Sequence, residues 1–160
     1  MKLSTTILFL FFCISLFAQS GKVVKVKDGD TIVVLDGLDF MHTIRVADID
    51  CPEKGQPFSN KAKLFVSNEI FGQYVTIKYK GIDRYGRTIG YVLYEDKNLS
   101  LELLKKGLAW HYSKYSDDRE MAELEKTARR LKIGLWSEIG PVEPHLWRKN
   151  KNVKNSFSND

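Results

Sequence analysis

Three short motifs set carboxylates and guanidiniums beside turn-forming residues. They are Asp28-Gly29-Asp30-Thr31, Arg45 followed by Asp50-Cys51-Pro52-Glu53, and Asp83-Arg84-Tyr85-Gly86-Arg87. Hard divalent cations take oxygen ligands, and a guanidinium fork matches the paired oxygens of a phosphate. Asp30 and Asp50 are the candidate cation ligands. Glu53, in the loop that Pro52 opens, is placed to orient or deprotonate an attacking water. Arg45 and Arg87 supply charge for the non-bridging oxygens of a phosphodiester under attack. Together these residue types point to metal-assisted phosphodiester cleavage.

Each residue has a plainer explanation. Aspartates beside glycine build turns, a loop glutamate is ordinarily just solvated, and Arg45 would also serve as half of a buried ion pair. Asp28-Gly29-Asp30 does not begin an EF-hand, because the sixth position would be Val33 and the twelfth Asp39. The turn explanation weakens once Asp30, Asp50 and Glu53 must be explained together. Gly86 lets the backbone pass close to a ligand just before Arg87. Tyr85 and Tyr115 are candidate stacking surfaces for a base, and Arg84 a candidate phosphate contact.

The elements that must carry these residues follow from alternation and turn signals. Strands are expected over 23–27 and 31–35, across Asp28-Gly29, with a tight turn at Asp36-Gly37. In the next strand, 40–47, Phe40, His42, Ile44 and Val46 share one side, and Arg45 lies on the other with Met41, Thr43 and Ala47. A helix is expected from Ser59 to Ile70, with Ala62, Phe65 and Val66 inward, ending near Gly72. Two further strands, 74–80 and 87–94, flank a loop at 81–86. A short helix over 100–106 closes at Gly107. A last helix starts near Asp117, whose spacing to Glu120 fits a capping box; Met121, Leu124, Ala128 and Leu131 form its apolar stripe, and Gly134 ends it. The fold class is α+β, mainly β: five strands, a helix between the third and fourth, and terminal helices suggest a small Greek-key barrel of the OB type.

At 160 residues the chain has room for one domain with a proper core. Lys2, the apolar run from Ile7 to Phe17 and the small-residue exit Ala18-Gln19-Ser20-Gly21 have the layout of a secretory signal peptide. The expected organisation is a leader over 1–20, cut after Ala18 or Ser20, a domain over 21–147, and a basic, polar, disordered tail over 148–160. Cys13 leaves with the leader, so Cys51 has no internal partner; if exposed, it could pair between molecules in an oxidising compartment. One cysteine and the three scattered histidines make no recognisable zinc site. The formal charge of +5, reduced by one when Lys2 is removed, suits an anionic partner without requiring one.

In this order and register, the motifs closely resemble those of the staphylococcal-nuclease-like family, the secreted thermonucleases. The likeness runs from about Val23 to Glu138 and includes the closing Gly134-Leu135-Trp136-Ser137-Glu138. It implies an OB-fold barrel with three α-helices and one bound calcium ion. By that likeness, Asp30, Asp50 and the backbone carbonyl of Cys51 hold the ion. Glu53 resembles the family's general base or water-orienting group, Arg45 and Arg87 its transition-state clamps, and Arg84, Tyr85 and Tyr115 its nucleotide contacts. The implied reaction breaks the bond from phosphorus to the 5′ oxygen of DNA and RNA and leaves 3′-phosphorylated products. This sequence departs from the family at Cys51, often a threonine, at Arg84, often a lysine, and at Ser113, where a tyrosine is usual and Tyr112 stands next door.

The expected protein is therefore an exported, monomeric, calcium-dependent nuclease. It would lie in the periplasm or the medium, act on single-stranded or flexible DNA and RNA, and have no stable membrane association after leader removal. Two rivals remain. One is a non-catalytic OB-fold module for single-stranded nucleic acid, which would have no use for an acidic cluster facing a polyanion. The other is a phosphodiesterase for small molecules, which Arg84, Tyr85 and the positive charge disfavour.

Overall fold

A computed structural model describes residues 18–157. The leader expected over 1–20 therefore lies almost wholly outside the described residues. Its last three residues, Ala18, Gln19 and Ser20, open the first strand and pair with Lys78, Ile77 and Thr76.

Five strands form the barrel: β1 (Ala18–Val26), β2 (Thr31–Asp36), β3 (Met41–Val46), β5 (Tyr74–Ile82) and β6 (Thr88–Tyr94). Three two-residue strands, β4 (Ile49–Asp50), β7 (Lys97–Asn98) and β8 (Trp110–His111), trim its ends. The main sheet runs β3-β2-β1-β5-β6-β7, and a parallel pairing of β3 with β6 closes it. Arg45 lies opposite Ile89 at that seam, and Val46 opposite Gly90. Closure pairs the outer strands of the sheet and turns alternate side chains toward the interior. Val23, Ile32, Ile44, Ile77 and Val92 meet inside, each at most 1% exposed.

Four helices surround the barrel: α1 (Ser59–Ile70), α2 (Leu99–Lys105), α3 (Arg119–Arg130) and α4 (Pro144–Phe157), with a 3₁₀ turn over Gly134–Ser137. The bounds of α1 agree with the expectation from sequence. Ala62 and Val66 are buried and Phe65 packs partly against the core. Gly107 follows α2 in the left-handed region, at φ 59°.

Several local expectations differ from the structure. Asp118, not Asp117, caps α3, accepting the Met121 N–H at 3.0 Å. Leu131 is 54% exposed, because α3 stops at Arg130 and the stripe turns away from the barrel. Gly134 does not end α3; it opens the 3₁₀ turn. Phe40 precedes β3 and is exposed rather than inward. The likeness implied three helices and the sequence a disordered tail from Arg148, whereas Arg148 sits in a fourth helix. Pro144 occupies the first position of that helix, where its missing N–H costs nothing.

Candidate active site

A cleft of about 930 Å³ opens at one end of the barrel. The turn between β1 and β2, the segment from β3 to the start of α1, and the β5–β6 turn all reach it, as does α4 from the far end of the chain. It gathers Asp30, Arg45, Asp50, Glu53, Arg84, Tyr85, Arg87 and Tyr115, which are all the site residues expected from sequence save Cys51.

Its carboxylate corner depends on long-range packing. The Asp30 N–H donates to Asp28 Oδ1 at 3.1 Å, while the Asp30 carbonyl accepts from the Val46 N–H at 2.8 Å. Asp30 Oδ2 accepts the Cys51 N–H at 2.7 Å, which ties the first turn to the second motif. Gly29 is needed for that approach. A Cβ there would stand 2.8 Å from the Cβ atoms of both Ala62 and Cys51.

Arg45 then joins the two aspartates. Its NH2 donates to Asp50 Oδ1 at 2.9 Å and stands 3.3 Å from Asp30 Oδ2; NH1 donates to the Val46 carbonyl at 2.9 Å. Burial opposes the charge on Arg45, but Asp30 and Asp50 outweigh it and raise its pKa. Burial and then the charge of Asp30 push the Asp28 carboxyl up to about 6. The same two causes raise Asp50, against the opposing pull of Arg45 and Arg148.

The opposite wall, Asp83 to Arg87, is a self-contained turn. Asp83 Oδ1 accepts N–H bonds from Tyr85 at 2.9 Å and Arg87 at 3.0 Å, and Oδ2 accepts from Arg87 Nε at 2.6 Å. Gly86 adopts φ 76°, where a side chain would be strained. Desolvation raises the Asp83 carboxyl, but the bonds from Arg87 and Tyr85 outweigh it and leave the group below its ordinary value. Arg87 NH1 points on to Thr31 Oγ1 at 3.5 Å, and that hydroxyl donates to Asp30 Oδ1 at 3.2 Å. The two sides of the cleft therefore meet at Thr31.

Aromatic rings stand at the rim. Tyr85 is 68% exposed, with the Arg84 guanidinium 4.8 Å from its ring centre. Tyr115 is 62% exposed and packs edge to face with Tyr112 at 4.9 Å. Lys80 holds this loop from below, bonding Asp48 Oδ1 and reaching the Tyr115 carbonyl at 3.4 Å.

Cys51 is 2% exposed, and burial, then the charge of Asp30, push its thiol well above the ordinary value. The exposure that pairing between molecules would require is not met. The structure also adds a residue that the sequence reading left in the tail. Arg148 of α4 donates through NH2 to Asp50 Oδ2 at 3.1 Å, and through NH1 to Asp50 Oδ1 at 3.4 Å and to Glu53 Oε1. Burial opposes its charge, but these carboxylates hold its pKa above the ordinary value. The available signal was Pro144 followed by Leu146 and Trp147, a proline-started apolar stub just before the arginine.

Fold and site together define a closed β-barrel with opposed carboxylates and guanidiniums at its mouth. Residues 43–138 match the family model described as "Staphylococcal nuclease homologue". A protein named "Uncharacterized endonuclease" from Haemophilus influenzae is 36% identical over 158 residues, covering 97% of this chain and 89% of that protein. A "Micrococcal nuclease" from Shigella flexneri is 40% identical over 148 residues, with 84% of each chain covered. A third relative, an "Uncharacterized endonuclease" from Escherichia coli O157:H7, is 39% identical over 91% of this chain and 95% of its own length. The chain belongs to the staphylococcal nuclease family.

Proposed function

We propose that this chain is an exported, calcium-dependent nuclease that hydrolyses phosphodiester bonds of DNA and RNA to 3′-phosphorylated products. One observation carries the reading. Carboxylates from two separate motifs, Asp30 and Asp50, meet on one nitrogen of Arg45, with Arg87 linked to the same corner through Thr31. Family membership and the nuclease names of the relatives support it.

The donor set suits a hard cation. Among the described residues no group of three or more His, Cys, Asp or Glu side chains is gathered as a metal shell. Two carboxylates with a main-chain oxygen and water are nevertheless an ordinary calcium set. No hydrogen bond among the described residues ends on the Cys51 carbonyl, which leaves that oxygen available. Asp30, Asp50 and the Cys51 carbonyl would hold the ion. When bound, it polarises the phosphoryl oxygen and acidifies water.

The remaining steps belong to the protein. Glu53 orients water and takes its proton at a carboxylate oxygen as the water oxygen bonds to phosphorus. Arg45 and Arg87 grip the non-bridging oxygens, where negative charge grows as the bond to the 5′ oxygen breaks. Arginine holds its proton too firmly to be a good acid, so Arg87 stabilises the leaving oxygen by hydrogen bonding and solvent completes its protonation. Arg84, Tyr85, Tyr112 and Tyr115 seat the flanking nucleotides by charge and stacking, which favours single-stranded or flexible substrates.

Export rests on the leader-like pattern of residues 2–20, with the periplasm or the medium as destination. The same reading makes the mature protein a monomer. Among the described residues, no helix is long and apolar enough to cross a membrane. Purified mature protein should digest single-stranded DNA and RNA in calcium and stop in chelator. Equal digestion in both would remove the cation from the reading. Tight binding without any cleavage would favour the non-catalytic module, which the exposed Tyr85 and Tyr115 would also suit.

A further inference from the structure

Arg148 is not placed by accident of a loose tail. Its helix is tied to the site loop by Gln56, a residue only 5% exposed. Gln56 accepts the Glu53 N–H at 2.9 Å through its side-chain oxygen and donates to the Val142 carbonyl through its amide nitrogen. Trp147, next to Arg148, lines a small apolar hollow with Phe58, Trp110 and Leu135. Those anchors fix the register of α4 and hold the guanidinium over the carboxylates.

The contacts that result are in the wrong place for a cation-loaded enzyme. Arg148 and Arg45 together engage both oxygens of Asp50, and Arg148 also takes an oxygen of Glu53. Any ion seated on Asp50 must compete with a positive charge already bonded there. Of the two arginines, Arg45 is the more buried, with its side chain 14% exposed at the barrel seam; Arg148, on a long side chain, is 43% exposed. Once released, its fork faces a cleft already lined by Arg45 and Arg87.

We propose that Arg148 is a third substrate arginine of this site, parked on Asp50 and Glu53 until a divalent cation displaces it onto a phosphate of the bound strand. This rests on the reading of Asp30 and Asp50 as cation ligands. Parking neutralises the acidic corner of the empty enzyme, and the hand-over couples cation loading to substrate grip. The C-terminal helix thereby sets the calcium concentration at which the site becomes competent.

Calcium titration calorimetry on the mature protein tests the first half, and steady-state cleavage of single-stranded DNA at saturating calcium tests the second. Arg148→Gln should bind calcium about tenfold tighter, because a charge-assisted competitor is gone. Its KM for DNA should rise about five- to tenfold, with a smaller change in kcat, since one phosphate contact is lost. Arg148→Lys should recover part of both effects. Lys149→Gln, which removes the adjacent charge, should shift calcium affinity by less than about twofold, as expected for a screened surface charge. Calcium affinity equal to wild type in Arg148→Gln, or a KM unchanged at saturating calcium, overturns the hand-over while leaving the cation site standing. No calcium binding by wild type or variant removes the cation site, and the hand-over with it.

Discussion

The two sides of the cleft are built in opposite ways. On the arginine side, five consecutive residues make the turn: Asp83 collects two backbone N–H groups and the Arg87 side chain within it. On the acidic side, Asp30 comes from the β1–β2 turn, while Asp50 and Glu53 come from the segment between β3 and α1; Arg45 from a barrel strand and Arg148 from the last helix join them. A local turn keeps its geometry through its own hydrogen bonds. The acidic corner exists only while the barrel is closed and the helices are docked, and its like charges need counter-cations to stay together.

That contrast can be broken most sharply at Arg87. Arg87→Ala should lower kcat/KM by on the order of 10³ or more, since it removes charge complementary to the transition state. Because the turn is peripheral to the core, the melting temperature should move by only a few degrees. Parallel cleavage assays and thermal melts check this, and a variant that unfolds instead would show the turn to be structural. Asp50→Asn should come next, with activity falling on the order of 10². The rise in melting temperature on adding calcium should also disappear, as linkage requires when the binding site is lost.

Two glycines compare the sides directly by urea unfolding. Gly29→Ala forces a methyl to within 2.8 Å of Ala62 and Cys51 and should cost about 1–3 kcal/mol. Gly86→Ala meets nothing within 4 Å, so only its positive φ is penalised, about 1 kcal/mol. Equal costs at the two sites would mean that the corner is not clamped by the core. The smallest effect belongs to Asp83→Asn, about 1 kcal/mol or less at neutral pH. Asp83 has a lowered pKa in the folded protein, so its contribution is present above the unfolded value and is lost as pH falls through the folded one. Wild type and Asp83→Asn should therefore converge in stability toward strongly acid pH, as unfolding curves across pH would show.

What could be read before any coordinates follows the same division. The bounds of α1, the exit at Gly107 and the Asp83–Arg87 turn rest on interactions within a few residues, and all were legible. Asp118 displaced Asp117 as the cap of α3 although only Asp117 has capping-box spacing to Glu120, because either aspartate can serve as an N-cap and the chain's approach to the helix chooses between them. Phe40 had the right parity for the core but lies just before β3, beyond the buried stretch of the strand. Arg148 was missed outright. Its residue type and its lysine-rich surroundings look like solvated tail, and its partners lie 95 and 98 residues away.

Residue types and near-neighbour spacing thus marked out the carboxylates, guanidiniums and aromatic rings that line the cleft. They set the strand and helix segments as well, since alternation, caps and turn glycines act over a few residues. Convergence was decided elsewhere, by the parallel β3–β6 seam, by the contact of Gly29 with α1, and by Trp147 seating the final helix. Those contacts join residues distant in sequence, and burial in three dimensions selects them; no short stretch of chain encodes them.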